Sequence, residues 1–284
     1  MPIETFWTFL ALLAFLQSLA VGSFVNVVIA RMPLDRSVVS PPSHCPCCGH
    51  PIRAYDNIPV LSWLLLGGKC RDCKLPISSL YPTIELLVGL LGGLLFVQTI
   101  PDASALSTGA LLAFGVKLVF VAMLVAQTYI DLRHYIIPNE LSIYAAPFGI
   151  LAALALGHLG HSGGPTWQSA VVGALAGGGL FGGIKLLYWL VRRREGIGDG
   201  DIKLAAMIGA FLGLPAIPFV ILASSVTGAL VGVPIALLQR KGAQLALPFG
   251  PFLALGAIVY LLHGPPLMAR LFPGLDLLFG PLAS

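Results

Sequence analysis

The chain has 284 residues, 57% hydrophobic and only 10% charged, against roughly 25% charged in an ordinary soluble domain. With a mean hydropathy of +0.92, it carries more apolar surface than a soluble globule can hide, and the same figures exclude disorder. A formal charge of +4 from 16 Lys+Arg and 12 Asp+Glu is too small and too scattered to suit nucleic acid.

The sequence therefore predicts an all-α polytopic membrane protein with about eight transmembrane helices. A crossing needs about 20 apolar residues. The apolar runs fall near 5–30, 82–100, 105–130, 141–157, 167–191, 204–214, 216–238 and 248–263. The first run has no basic stretch before Thr5 and is long for a signal sequence, so it is expected to stay as a helix. The pair 204–214 and 216–238 is irregular: 204–214 is short for a crossing, and Gly213, Pro215 and Pro218 break the pattern; a tilted or re-entrant segment would fit there.

Residues 32–80 form the long hydrophilic loop and hold all five cysteines. Cys45-Pro-Cys-Cys48 and Cys70-Arg-Asp-Cys73 are two C-x-x-C pairs. Each places two thiolates on a tight knuckle, and two knuckles close a tetrahedral Zn²⁺ site. Gly49 suits the turn after the first knuckle. Cys45, Cys48, Cys70 and Cys73 are the expected ligands; Cys47 is left over, and His44 and His50 are read as solvent-facing. Four thiolates leave no open position for water, so the metal is structural rather than catalytic and folds a loop with little core of its own. A disulfide or redox role is the alternative.

Beyond the loop, Asp131 follows the apolar run ending Gln127-Thr-Tyr-Ile130, and the chain then turns through Pro138-Asn139. The fifth run is dense in glycine, Gly173-Ala-Leu-Ala-Gly-Gly-Gly-Leu-Phe-Gly-Gly183, which reads as close helix packing. Asp201 lies in Gly196-Ile-Gly-Asp-Gly-Asp-Ile-Lys203, between the fifth and sixth runs. Its glycines permit backbone shapes that other residues resist, and a close approach to substrate. Glu4, Asp35, Asp56, Asp72, Asp102, Glu140 and Asp276 fall in loops, tails or span ends, where solvation is the default, and Glu195 joins the Arg192–Arg194 cluster.

Thirteen of the 16 Lys/Arg fall in four segments: residues 31–74, Arg133, residues 192–203, and Arg240 with Lys241. With eight crossings these share one side, which the positive-inside rule makes cytoplasmic, with the N-terminus outside. Lys117 and Lys185 lie within spans, where Lys185 can snorkel. Asp131 and Asp201 then share the cytoplasmic face. An Asp at a helix start can be no more than an N-cap. Two carboxylates in one site, however, cannot both ionise easily; the pair holds one proton and can activate a water, as in aspartic peptide hydrolysis.

These residues resemble a known family, the bacterial type IV prepilin peptidases, which act as leader peptidase and N-methyltransferase. The resemblance rests on Gly22-Ser-Phe-Val-Asn-Val-Val-Ile-Ala-Arg-Met-Pro33, the paired C-x-x-C loop, Tyr81-Pro-Thr-Ile-Glu-Leu86, Asp131 with Pro138-Asn139, and Gly198-Asp-Gly-Asp-Ile-Lys-Leu204. It implies catalysis by Asp131 and Asp201. G-x-G-D also fits Gly196-Ile-Gly-Asp199, but the family pattern continues to Lys-Leu, and only Asp201 is followed by Ile202-Lys203-Leu204. The resemblance implies prepilin or type II secretion pseudopilin precursors as partners in the bacterial inner membrane. They would be cut after a Gly on the cytoplasmic side, and the new N-terminus methylated from S-adenosylmethionine. Glu85, Gly89 and the zinc loop are the first region to search for that donor's site. The expected divisions are residues 1–31 as the first membrane helix, 32–80 as the cytoplasmic zinc-binding loop, and 81–284 as a membrane-embedded peptidase core. The competing reading is a proton or ion transporter relaying through Asp131, Lys117 and Asp201.

Overall fold

The computed structural model describes residues 3–193, 198–239 and 247–271. Among them regular structure is helical, with two isolated β-bridges in the loop and no strand. Arg194, Glu195, Gly196, Arg240, Lys241 and Asp276, which entered the charge and motif readings above, lie outside the described residues. The chain divides into two units, residues 1–126 and 127–284.

The first unit holds α1 (Ile3–Arg31), α2 (Leu61–Leu65), α3 (Leu80–Thr99) and most of α4 (Thr108–His134). Here α1 and α3 run antiparallel, with their register fixed at both ends by side chains. Trp7 Nε1 donates to the Ile100 carbonyl at 2.9 Å, and Asn26 Nδ2 donates to the Tyr81 carbonyl at 3.1 Å. Between them a β-carbon on Gly22 would stand 2.7 Å from the Glu85 α-carbon. The Gly22-to-Asn26 and Tyr81-to-Glu85 stretches singled out in the sequence are thus two halves of one helix contact. The start of α4 is set by Ser107, whose Oγ accepts the Ala110 N–H at 3.1 Å, the bond expected of an N-cap serine.

The second unit holds the end of α4, then α5 (Ala146–His158), α6 (Trp167–Arg192), α7 (Asp199–Leu212), α8 (Ala216–Gln239) and α9 (Gly250–Leu271). Thr166 caps α6 by accepting the Ser169 N–H at 3.2 Å. The glycine-rich face of α6 packs against α7. A β-carbon on Gly173 would stand 2.6 Å from the Gly209 carbonyl oxygen, and Gly177 meets the Ala205 carbonyl in the same way. Small residues let backbones touch in lipid, and that is their use here. Ser169 Oγ accepts the Leu214 N–H at 3.1 Å and ties the end of α7 to the start of α6.

Among the described residues, five helices are long and apolar enough to cross a membrane: α1, α3, α4, α6 and α8. The other predicted crossings meet shorter apolar helices. α5 has 13 residues and α7 has 14, or about 20 Å at 1.5 Å per residue. The apolar part of the last helix spans Gly250–Gly264. α7 stops where the sequence suggested a break, at Gly213 with φ +80°. α4 runs four residues past the apolar run, so Asp131, expected at the end of that span, lies within the last turn of the helix.

Candidate active site and metal centre

Asp131 sits one turn before the end of α4. The helix is closed by Tyr135, at φ +57°, whose N–H returns to the Asp131 carbonyl at 2.9 Å. One turn earlier, Gln127 is 1% exposed and donates to the Leu141 carbonyl at 2.9 Å. That bond anchors the chain after α4 and fixes the helix face that carries Asp131, four residues on. Asp201 is the third residue of α7, whose N-cap is Gly198. Asp131 and Asp201 line one cleft of about 350 Å³, together with Tyr135, Ile137, Lys203 and Pro248. Asp131 is 6% exposed and Asp201 is half-buried.

Three contacts hold this cleft. Lys203 Nζ donates to Asn139 Oδ1 at 2.8 Å. It joins the Pro138-Asn139 stretch after α4 to the first turn of α7, so the two aspartate motifs are bonded to each other. Gly200 brings that turn against Ile137, whose Cβ lies 3.1 Å from where a β-carbon would stand. Close approach is the reason for this glycine; neither Gly198 nor Gly200 has a positive φ, so backbone freedom is not. The third contact was not visible in the sequence: the Gly250 N–H, at the head of α9, donates to Asp131 Oδ2 at 3.2 Å. Phe249 just before it rests on Phe181 of α6, with ring centroids 6.1 Å apart.

Asp199 reaches the same cleft but is engaged elsewhere. Its carboxylate pairs with Lys185 at 2.5 Å, and its side chain is 70% exposed. Lys185 thus ends on a carboxylate rather than snorkelling free. Lys117 donates to Thr99 at 3.0 Å.

In the first unit, the Sγ atoms of Cys45, Cys48, Cys70 and Cys73 all lie within 4.8 Å of one another, with Cys45 and Cys73 at 3.8 Å. Ligands at the Zn–S distance of ≈ 2.3 Å in a tetrahedron stand about 3.8 Å apart, so the four sulfurs fit that metal. The two knuckles are built alike. Cys45 N–H donates to His50 O and Gly49 N–H to Cys45 O; Cys70 N–H donates to Leu75 O and Lys74 N–H to Cys70 O. Gly49 (φ +70°) and Lys74 (φ +61°) occupy the same left-handed turn position, where glycine is the unstrained choice. Cys47, His44 and His50 are exposed and stand outside the cluster.

The backbone N–H groups of Cys48 and then Cys47 draw the Cys45 thiol down to about 6. At Cys73 the Leu75 N–H pulls the same way, but burial and the neighbouring sulfurs override it and push the thiol up to about 12. Four thiolates this close conflict with one another unless a cation neutralises them. The knuckles are braced by charge: Arg71 grips Asp56 through two bonds, at 2.8 and 2.6 Å, and holds its carboxyl below the usual range. Asp56 is thus a paired group rather than a solvated surface one. Replacing any one of Cys45, Cys48, Cys70 or Cys73 by Ser is expected to abolish tight metal binding, whereas Cys47→Ser should keep one zinc per chain. Metal analysis of the five purified variants decides this, and loss of zinc on Cys47→Ser would overturn the ligand set.

Glu85 and Gly89, in the region singled out for the S-adenosylmethionine search, both make contacts within the first unit. A β-carbon on Gly89 would stand 2.5 Å from Leu19 Cδ2, so the glycine serves helix packing. Glu85 is 8% exposed, and its Oε2 accepts the Val60 N–H at 2.7 Å.

Residues 16–99, which contain both knuckles, match the family model of the bacterial peptidase A24 N-terminal domain. Residues 118–233, which contain both aspartates, match that of the type IV leader peptidase family. The chain is 37% identical to a prepilin leader peptidase/N-methyltransferase of Aeromonas hydrophila, over 91% of this chain and 92% of that protein. It is 37% identical to one of Burkholderia pseudomallei, over 89% and 85%, and 35% identical to one of Pseudomonas aeruginosa, over 88% and 89%. No solved structure matches. Likeness sustained along nearly the whole of both chains, through both the cysteine cluster and the aspartate cleft, means that this chain belongs to the type IV leader peptidase family.

Proposed function

We infer that the chain is a membrane-embedded aspartic peptidase that removes the leader from type IV prepilins or pseudopilins, and N-methylates the new N-terminus. The observation that carries the peptidase reading is the cleft that Asp131 and Asp201 share. Two adjacent carboxylates hold one proton between them. The ionised one takes a proton from water, which attacks the scissile carbonyl carbon. The protonated one hydrogen-bonds the carbonyl oxygen, and a proton then passes to the leaving amine as the C–N bond breaks. The pairing of Asp199 with Lys185 supports Asp201 as the second member.

Cys45, Cys48, Cys70 and Cys73 are the ligands of one structural Zn²⁺ in the insertion 32–80, between the helix 1–31 and the peptidase core 81–284. The basic segments put this insertion and the cleft on the cytoplasmic side of the inner membrane, with about eight crossings, the shorter helices included. Methyl transfer from S-adenosylmethionine rests on family membership. The test of the whole reading is purified protein in lipid, a synthetic prepilin and labelled S-adenosylmethionine. Leader release with label on the new N-terminus supports it; proton flux without cleavage favours the transporter.

The two activities should separate. Hydrolysis needs the carboxylates, whereas methyl transfer needs a free amine beside a sulfonium, and that amine exists only after cleavage. Asp201→Asn is therefore expected to leave precursor unmethylated but to methylate pilin supplied already cleaved. Absence of label transfer to pre-cleaved pilin, in a folded and zinc-loaded variant, would mean that the aspartates also build the methylation site.

A further inference from the structure

Glu85 is a carboxylate buried inside a membrane span, and it is not part of the aspartate cleft. Its position is set by two rulers. α3 has 20 residues, about 30 Å, the thickness of the hydrocarbon core. Glu85 is five residues from its Leu80 end, roughly 7 Å in. On α1, Gly22 packs at the Glu85 α-carbon. Gly22 lies nine residues before the basic end of that helix at Arg31, roughly 13 Å along the axis. Both rulers put the Glu85 backbone below the membrane surface.

The loop comes down to meet it. The Val60 N–H donates to Glu85 Oε2 at 2.7 Å, and Val60 is held at φ +62°, an unfavourable torsion for a β-branched residue. The Glu85 side chain leans towards the start of its helix, so Val60 sits near the boundary of hydrocarbon and headgroups. α2 begins at the next residue. Its inner side is tied down: Ser62 Oγ donates to the Tyr55 carbonyl at 2.9 Å and Trp63 Nε1 to the Ile77 carbonyl at 3.1 Å. Its outer side is apolar. Leu61, Leu64 and Leu65 fall at i, i+3 and i+4, one helix face; they are 48%, 61% and 77% exposed. Exposed lysines at 69 and 74 follow within ten residues.

We propose that α2 is an interfacial helix, with Leu61, Leu64 and Leu65 inserted among the acyl chains of the leaflet on the Arg31 side. The occupant of this face is lipid, because its anchor is fixed inside a span at acyl-chain depth. The nearby lysines suit anionic headgroups. The insertion 32–80 is then moored to the bilayer as well as to its metal.

A diazirine analogue of leucine at position 65 tests this. The full-length protein is reconstituted in nanodiscs of phosphatidylethanolamine and phosphatidylglycerol, irradiated, and read by intact mass and peptide mapping. Position 61 is labelled in a second protein, and zinc content checks the fold of both. Phospholipid adducts are expected at 61 and 65 within about twofold of the yield at lipid-facing Leu90 of α3, and about tenfold above the yield at exposed Val39. Positions 61 and 65 behaving like Val39 would overturn the proposal. So would replacement of the lipid adduct by a peptide adduct on adding one equivalent of synthetic prepilin, which would make the face a substrate seat. Neither readout depends on peptidase activity.

Discussion

Asp131→Asn and Asp201→Asn are each expected to lower the rate of leader cleavage by about 10³–10⁴-fold, the scale of an obligatory acid–base group. An amide is isosteric with the carboxyl group but can neither accept the proton of water nor return it to the leaving amine. The amide of Asp131→Asn would still fit the buried place at the end of α4, so the protein should fold, stay in the membrane and keep its zinc. The two losses should not add: a dyad is a unit, and removing the second member of a dead pair costs little more. Asp199→Asn provides the contrast. Its carboxylate is exposed and paired with Lys185, and exposed pairs contribute little, so cleavage should stay within about fivefold of the parent. Rates for the three single variants and the Asp131/Asp201 double variant on one synthetic prepilin decide the matter. An inactive Asp199→Asn beside an active Asp201→Asn would assign the dyad to Asp131 and Asp199 instead.

What the sequence made legible was chemistry whose parts lie close together in the chain. A C-x-x-C knuckle needs its two thiolates three residues apart, so the spacing alone picks out the four cysteines that cluster, and the left-handed turn at Gly49 follows from the same local geometry. Carboxylates are scarce at a hydrocarbon boundary, so Asp131 and Asp201 stood out by their cost. Helix ends were harder. Apolar runs report lipid contact, not hydrogen bonding, so the last turn of α4 past Asp131 and the shortness of α5 were hidden. Hidden too were groups that act by tertiary contact. The sequence does not say what Gln127, Glu85 and Lys185 bond to. Their partners, Leu141, Val60 and Asp199, are 14 to 25 residues away in the chain, and no helical or strand periodicity links them.

Gly250 is the extreme case, 119 residues from Asp131 in a chain with 33 glycines. Nothing local separates it from Gly182, yet their surroundings are opposite. A β-carbon at Gly182 would meet nothing within 4 Å, whereas one at Gly250 would stand 2.6 Å from Asp131 Oδ2 and 3.1 Å from Ile137 Cδ1. Asp131 is held within its helix and Ile137 within the packed turn after it, so the new methyl group must turn the carboxylate or push α9 away. Either movement breaks the N–H bond that aims Asp131 into the cleft. Displacing a reacting group by about 1 Å costs about 10²-fold. Gly250→Ala is accordingly expected to cut kcat for cleavage about 10²-fold with little change in KM, and Gly182→Ala to leave both unchanged. Gly250→Ala should still carry zinc and should still methylate pre-cleaved pilin, since its defect lies in the aim of one carboxylate. The measurement is steady-state cleavage by both variants with zinc content and label transfer alongside. Full cleavage by Gly250→Ala would show that Asp131 needs no help from α9. Loss of zinc and of both activities together would make Gly250 a folding residue rather than one that positions Asp131.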